Sequence, residues 1–159
     1  MFKVSKILCP TDFSEPSLYA LQFAHDLARQ FNAELFVIYV VPTIPLTSTP
    51  PPFTAAGIPG SLDFNAYRQT LITEAQKNLD ELIKTHLSLE LKITPIVEYG
   101  EPAERILHVA NLFDVDLIVT ATHGRTGWRH FIFGSVAEKI IRLSSRPVLT
   151  VRKPEAKLS

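Results

Sequence analysis

Cysteine is nearly absent from this chain. Cys9 stands alone among 159 residues, which excludes an internal disulfide and a cysteine-only metal cage and fits a reducing compartment. Net charge is absent too: sixteen basic residues balance sixteen acidic ones, so no global field draws the chain to nucleic acid or to an anionic membrane, and neither is expected as a partner. No apolar run approaches the roughly 20 residues that a spanning helix needs. The opening Met1-Phe2-Lys3-Val4 lacks the long apolar region and cleavage site of a signal peptide, so the cytoplasm is the expected location. Two familiar phosphate grips are also missing. No glycine loop closes on Gly-Lys-Ser/Thr, and no compact Gly-x-Gly-x-x-Gly follows the first strand. No serine or cysteine stands with a recognisable base and orienting acid, and no paired-carboxylate signature occurs. Catalytic residues are therefore not assigned, and slow nucleotide hydrolysis is the most that is expected.

What is present is a regular alternation of apolar runs and amphipathic stripes. Lys6-Ile7-Leu8-Cys9-Pro10 is a strand ended by proline, and Asp12-Phe13-Ser14-Glu15-Pro16 then supplies capping side chains and a first-turn proline for a helix. That helix carries its stripe on Leu18, Leu21, Ala24, Leu27, Ala28 and Phe31 and ends at Asn32-Ala33. Glu34 to Val41 is apolar on both alternating faces, as in an interior strand of a parallel sheet. Prolines at 42, 45, 50, 51, 52 and 59 make residues 42–60 a long loop, suited to a lid, an interaction segment or simple disorder. A second helix follows on Phe64, Tyr67, Leu71, Ala75, Leu79, Leu82 and Ile83. Leu91 to Glu98 has strand character, but Pro95 lacks a donor and places it on a sheet edge. Gly100-Glu101-Pro102 opens a third helix with a stripe on Ile106, Val109, Ala110 and Phe113, and Asp116-Leu117-Ile118-Val119 is the next strand. A fourth helix begins near Val136, Val148 to Val151 is the last strand, and the tail at 154–159 is polar.

Five strands alternating with four helices require crossover connections. The expected fold is one doubly wound α/β domain over 1–153, a parallel sheet with helices on both faces, and with the first and fourth strands as central neighbours, which the edge position of the third permits, its order is 3-2-1-4-5. In such a sheet a ligand binds beyond the strand carboxyl ends, where the strand order reverses. The crevice then lies between Pro10-Thr11-Asp12 and Thr120-Ala121-Thr122-His123-Gly124. Asp12 is short and ionised, and accepts hydrogen bonds from a ribose or from an adenine amino group. The backbone at Val40 and Val41 pairs with a purine edge, and their side chains cover its face. From Thr120 through Arg125 to Gly134, Ser135 and Val136 the chain runs from strand through glycine loop to helix start, where free amides and the helix dipole favour phosphate.

Three segments together resemble the universal stress proteins: Ile7 to Ser14, Gly100-Glu101-Pro102, and Thr122-His123-Gly124-Arg125 with Gly134-Ser135-Val136-Ala137-Glu138. The resemblance spans nearly the whole chain. It implies a flavodoxin-like, adenine nucleotide alpha hydrolase-like fold and a stress-response role. It also implies an ATP site with adenine near Val40 and Asp12 and phosphates near Gly124, Gly134 and Ser135, a Mg or Mn ion held mainly by phosphate oxygens, and a homodimer through Val148 to Val151. ATP-binding members carry glycine, two residues, glycine, nine residues, then glycine and serine or threonine. Here Gly124, residues 125–133, Gly134 and Ser135 match, but Ala121 stands at the first glycine. Alanine is harmless if this position has strand dihedrals and obstructive if it needs a positive φ.

Each of these residues also has a purely structural reading. Ser135 and Asp12 suit helix caps, Cys9 suits the core, Trp128 suits packing, and Arg125 and Arg129 suit a solvated loop. His123 has no ligand-spaced partner and suits loop shaping rather than a metal. Two functions of different class fit: a nucleotide-dependent regulatory module read by a protein partner, and a homodimeric interaction module whose nucleotide site is empty.

Overall fold

The computed structural model describes residues 3–43, 64–88, 90–122 and 134–154. Most of the proline-rich stretch, the residues His123, Gly124, Arg125, Trp128 and Arg129, and the tail from 155 lie outside the described residues. Five strands, β1 (Lys6–Pro10), β2 (Glu34–Pro42), β3 (Ile93–Gly100), β4 (Leu117–Ala121) and β5 (Val148–Val151), alternate with four helices, α1 (Glu15–Phe31), α2 (Phe64–His86), α3 (Pro102–Leu112) and α4 (Ser135–Leu143). The sheet is parallel throughout in the order β3-β2-β1-β4-β5, so the strand order reverses between β1 and β4.

Strand alternation divides the core into two layers. Ile7, Cys9, Leu35, Val37, Val119 and Ala121 face α1 and α2, whereas Leu8, Phe36, Ile38, Val40 and Ile118 face α3 and α4. Both parities of β2 are therefore apolar for a physical reason, since each side chain meets a helix. Pro95 sits on edge strand β3, where its missing donor breaks no interior ladder.

Local chemistry sets the ends of the helices. Ser14, extended at φ −76° and ψ 157°, caps α1 by accepting from the Ser17 amide, and Asn32 ends that helix in the left-handed region. Glu101 caps α3 from its carboxylate to the Glu104 amide, with Pro102 in the first turn. Gly100 precedes it at φ +146°, a conformation side chains avoid, and the Arg105 stem fills the space a Cβ would need, at 3.1 Å. At the opposite end of the sheet the Asp116 carboxylate accepts from the amides of Ser5 and Lys6 at 2.7 and 2.9 Å, which pins the start of β1 beside β4.

Two stripes differ from the periodicity. Residues 65–70 of α2 are exposed, Tyr67 included, and burial of that helix begins at Leu71. Phe31, the last residue of the α1 stripe, is exposed as well, although Ala28 in the same last turn is buried.

Candidate functional site

The β1 strand ends at Pro10, and the next residue continues the sheet by one bond, from the Thr11 amide to the Ile38 carbonyl at 2.9 Å. Thr11 is buried, its hydroxyl lies 3.1 Å from that of Ser17, and the same hydroxyl accepts from the Phe13 amide at 3.1 Å. Asp12 accepts from the amide and the hydroxyl of Ser14. Its carboxylate therefore orders the turn into α1, and the helix cap is Ser14.

Across the crevice, β4 delivers Thr120, Ala121 and Thr122. The Thr122 amide donates to Val151 at 3.1 Å, and its carbonyl accepts from the Gly134 amide at 2.6 Å. The end of β4 and the start of α4 are thus tied together. Gly134 occupies the N-cap of α4 without a side-chain cap bond, and Ser135 is the first helical residue rather than the cap. Capping side chains hold the starts of α1 and α3, whereas the α4 start meets the space between the strands through backbone groups.

That space is a cavity of about 310 Å³. Pro10, Thr11, Asp12 and Ser17 form one wall, Thr120, Ala121 and Thr122 the next, Gly134 to Ala137 a third, and Ile38, Tyr39, Val40, Pro102 and Ile106 complete an apolar side. The sequence-based set meets here as Pro10, Thr11, Asp12, Val40, Thr120, Ala121, Gly134, Ser135 and Val136. Val41 is buried but is not among the lining residues, and His123, Gly124 and Arg125 lie outside the described residues. Ala121 pairs with Val151 in the sheet and is not among the residues of positive φ, so alanine stands among the lining residues without backbone strain. Ser17, Ile38, Tyr39, Pro102, Ile106, Thr122 and Ala137 were not among the ligand-contact residues expected from the sequence, although Thr122 lies in the expected crevice and Pro102 and Ala137 belong to the segments that carry the resemblance. For Pro102 and Ile106 a signal existed: four residues apart, they share one face of α3.

Beside the lining residue Pro102 stands a second carboxylate, that of Glu101. Burial pushes its carboxyl up, but the Glu104 amide and the Lys139 ammonium at 2.9 Å outweigh this and hold it below its ordinary value. The pair joins α3 to α4 behind the cavity wall. Burial pushes the Cys9 thiol up to about 12, which leaves it a neutral core residue on the opposite face of β1. Among the described residues no cluster of three or more His, Cys, Asp or Glu is placed to hold a metal ion, and no helix is long and apolar enough to cross a membrane.

The family model described as the universal stress protein family matches residues 3–152. The chain belongs to the universal stress protein family. Universal stress protein MJ0531 of Methanocaldococcus jannaschii is 35% identical over 150 residues, covering 94% of this chain and 83% of that protein. The solved structure of MJ0577, a universal stress protein of the same organism, superposes with a TM-score of 0.78 at 28% identity, covering 98% of this chain and 99% of the other. A universal stress protein crystallised in complex with cAMP shares the fold at a TM-score of 0.61 and 21% identity, over 96% and 99% of the two chains.

Proposed function

We propose that this chain is an adenine-nucleotide-binding regulatory module whose ligand is ATP. The observation that carries the proposal is the cavity at the reversal of strand order, with Asp12 on one wall and the start of α4, which no side chain among the described residues caps, on another. Its volume falls within the range of small-molecule sites. Val40 and Ile38 supply the apolar face a purine needs, Asp12 an acceptor for its amino group or for the ribose, and the helix start a seat for phosphate. Gly124 and Arg125 complete this phosphate side in the proposal, and a Mg or Mn ion is held mainly by phosphate oxygens and water. The complex of cAMP with a protein of the same fold agrees with this reading at the level of fold. ATP occupancy would change the surface offered to a protein partner in the cytoplasm. Hydrolysis is at most slow.

Calorimetry with ATP on protein freed of carried-over nucleotide tests the reading. Saturable heat lost in Asp12→Ala supports it, and no heat at millimolar ATP overturns it. The second reading, a homodimeric interaction module joined through β5, is favoured by the edge position of that strand and the exposure of Leu149. Dimerisation without any response to nucleotide would select it.

A further inference from the structure

Phe13 adopts φ +63°, in the left-handed region that bulky side chains avoid. A glycine there would have no such difficulty. The strain is offset by two contacts: the Phe13 ring lies 4.6 Å from that of Tyr39, centroid to centroid, and its amide donates to the buried Thr11 hydroxyl at 3.1 Å. Its neighbour Asp12 lines the cavity, whereas Phe13 is not among the lining residues. The chain on either side of Asp12 is therefore fastened, by the Thr11 amide to the sheet and by the Phe13 ring to β2.

We propose that Phe13 is a positioning residue for base selection: its ring, clamped on Tyr39, fixes the Asp12 carboxylate so that the site accepts a 6-aminopurine and rejects a 6-oxopurine. The proposal rests on the nucleotide reading given above and deepens it. A carboxylate only accepts hydrogen bonds, so it attracts the amino edge of adenine and repels the carbonyl edge of hypoxanthine. Such discrimination needs the carboxylate held within about 0.5 Å of its place. Ser14 holds the Asp12 carboxylate from within the turn, and the Phe13 ring holds the turn against β2; without the ring the turn and its carboxylate would shift together away from the base, and selectivity would fall without loss of the phosphate contacts.

The test is the ratio of ATP to inosine triphosphate affinity, measured by calorimetry on nucleotide-free wild type, Phe13→Gly, Phe13→Asn and Phe13→Tyr. Asparagine tolerates the left-handed region and lacks the ring, which covers a failure of the glycine variant to fold. The wild type is expected to prefer ATP, the glycine and asparagine variants to lose about tenfold of that preference with inosine triphosphate affinity held within about twofold, and tyrosine to restore it. A ratio unchanged in both ring-less variants overturns the role of Phe13. Equal affinity of the wild type for the two nucleotides overturns it too, yet leaves the nucleotide reading standing. Binding of neither nucleotide by the wild type overturns both.

Discussion

At the scale of the residue, the chemistry of this chain is decided by which side of β1 a side chain faces. Cys9 and Pro10 are adjacent, yet Pro10 lines the cavity and the Cys9 side chain belongs to the opposite core layer. With its thiol pushed up to about 12 from 9.0, Cys9 stays neutral in the fold and ionises near pH 9 only when unfolded. A raised folded value means that the stabilisation is intact below pH 9.0 and is lost as pH climbs toward 12. Cys9→Ala should therefore remove part of the alkaline decline in stability, read as a shallower fall of the urea midpoint above pH 9. Iodoacetamide at pH 8 should leave the folded wild type unlabelled and label it in urea. The apolar run around Cys9 made its core role legible. Phe13 carried no such signal, because its left-handed backbone depends on a ring 26 positions further along the chain, at Tyr39.

At the scale of the element, the two-faced burial of β2 was legible because alternation expresses burial directly, whereas the strand order required placing the first and fourth strands as central neighbours. The ends of helices were less so. Ser135 looked like a cap on residue type alone, but Gly134 is extended at φ −69° and ψ 155° and its carbonyl accepts from the Glu138 amide at 2.9 Å, which places the N-cap one residue earlier. Residues 65–70 of α2, Tyr67 among them, continue the apolar spacing without burial, since spacing reports a stripe and not what covers it. The α4 start gives a test in which stability and binding move in opposite directions. Ser135→Asp puts a negative charge in the first turn, which should stabilise the helix by about 0.3–1 kcal/mol and repel a triphosphate. The melting temperature should rise or hold while ATP affinity falls at least tenfold by calorimetry; a parallel fall in both would point to damage of the fold.

Glu101 acts at the same scale, joining the cap of α3 to α4 through Lys139. Its carboxyl lies below the ordinary 4.5, so its stabilising effect is present above pH 4.5 and lost as pH falls through the lower folded value. Glu101→Ala should cost about 0.5–2 kcal/mol at pH 7 and less at pH 3. Urea denaturation at the two pH values measures the difference.

At the scale of the whole molecule, the sheet ends on β3 at one side and β5 at the other, and the two edges differ in kind. β3 carries Pro95 and packs against α2 and α3, whereas β5 has four residues, with Leu149 36% exposed on one sheet face. On the other face Ile141 and Leu143 of α4 are exposed at 41% and 59%. Identical edge strands related by a two-fold axis run antiparallel, and such pairing closes after two copies. A four-residue strand offers few backbone bonds, so the apolar side chains flanking it must supply much of the association. Light scattering at high micromolar concentration should give twice the chain mass, and Leu149→Lys should halve it by placing a charge at the join. The variant's melting temperature should lose the concentration dependence that an associating wild type shows. A wild type of single-chain mass at that concentration would remove the dimer, and would leave the cavity between β1, β4 and α4, which is built within one chain, untouched.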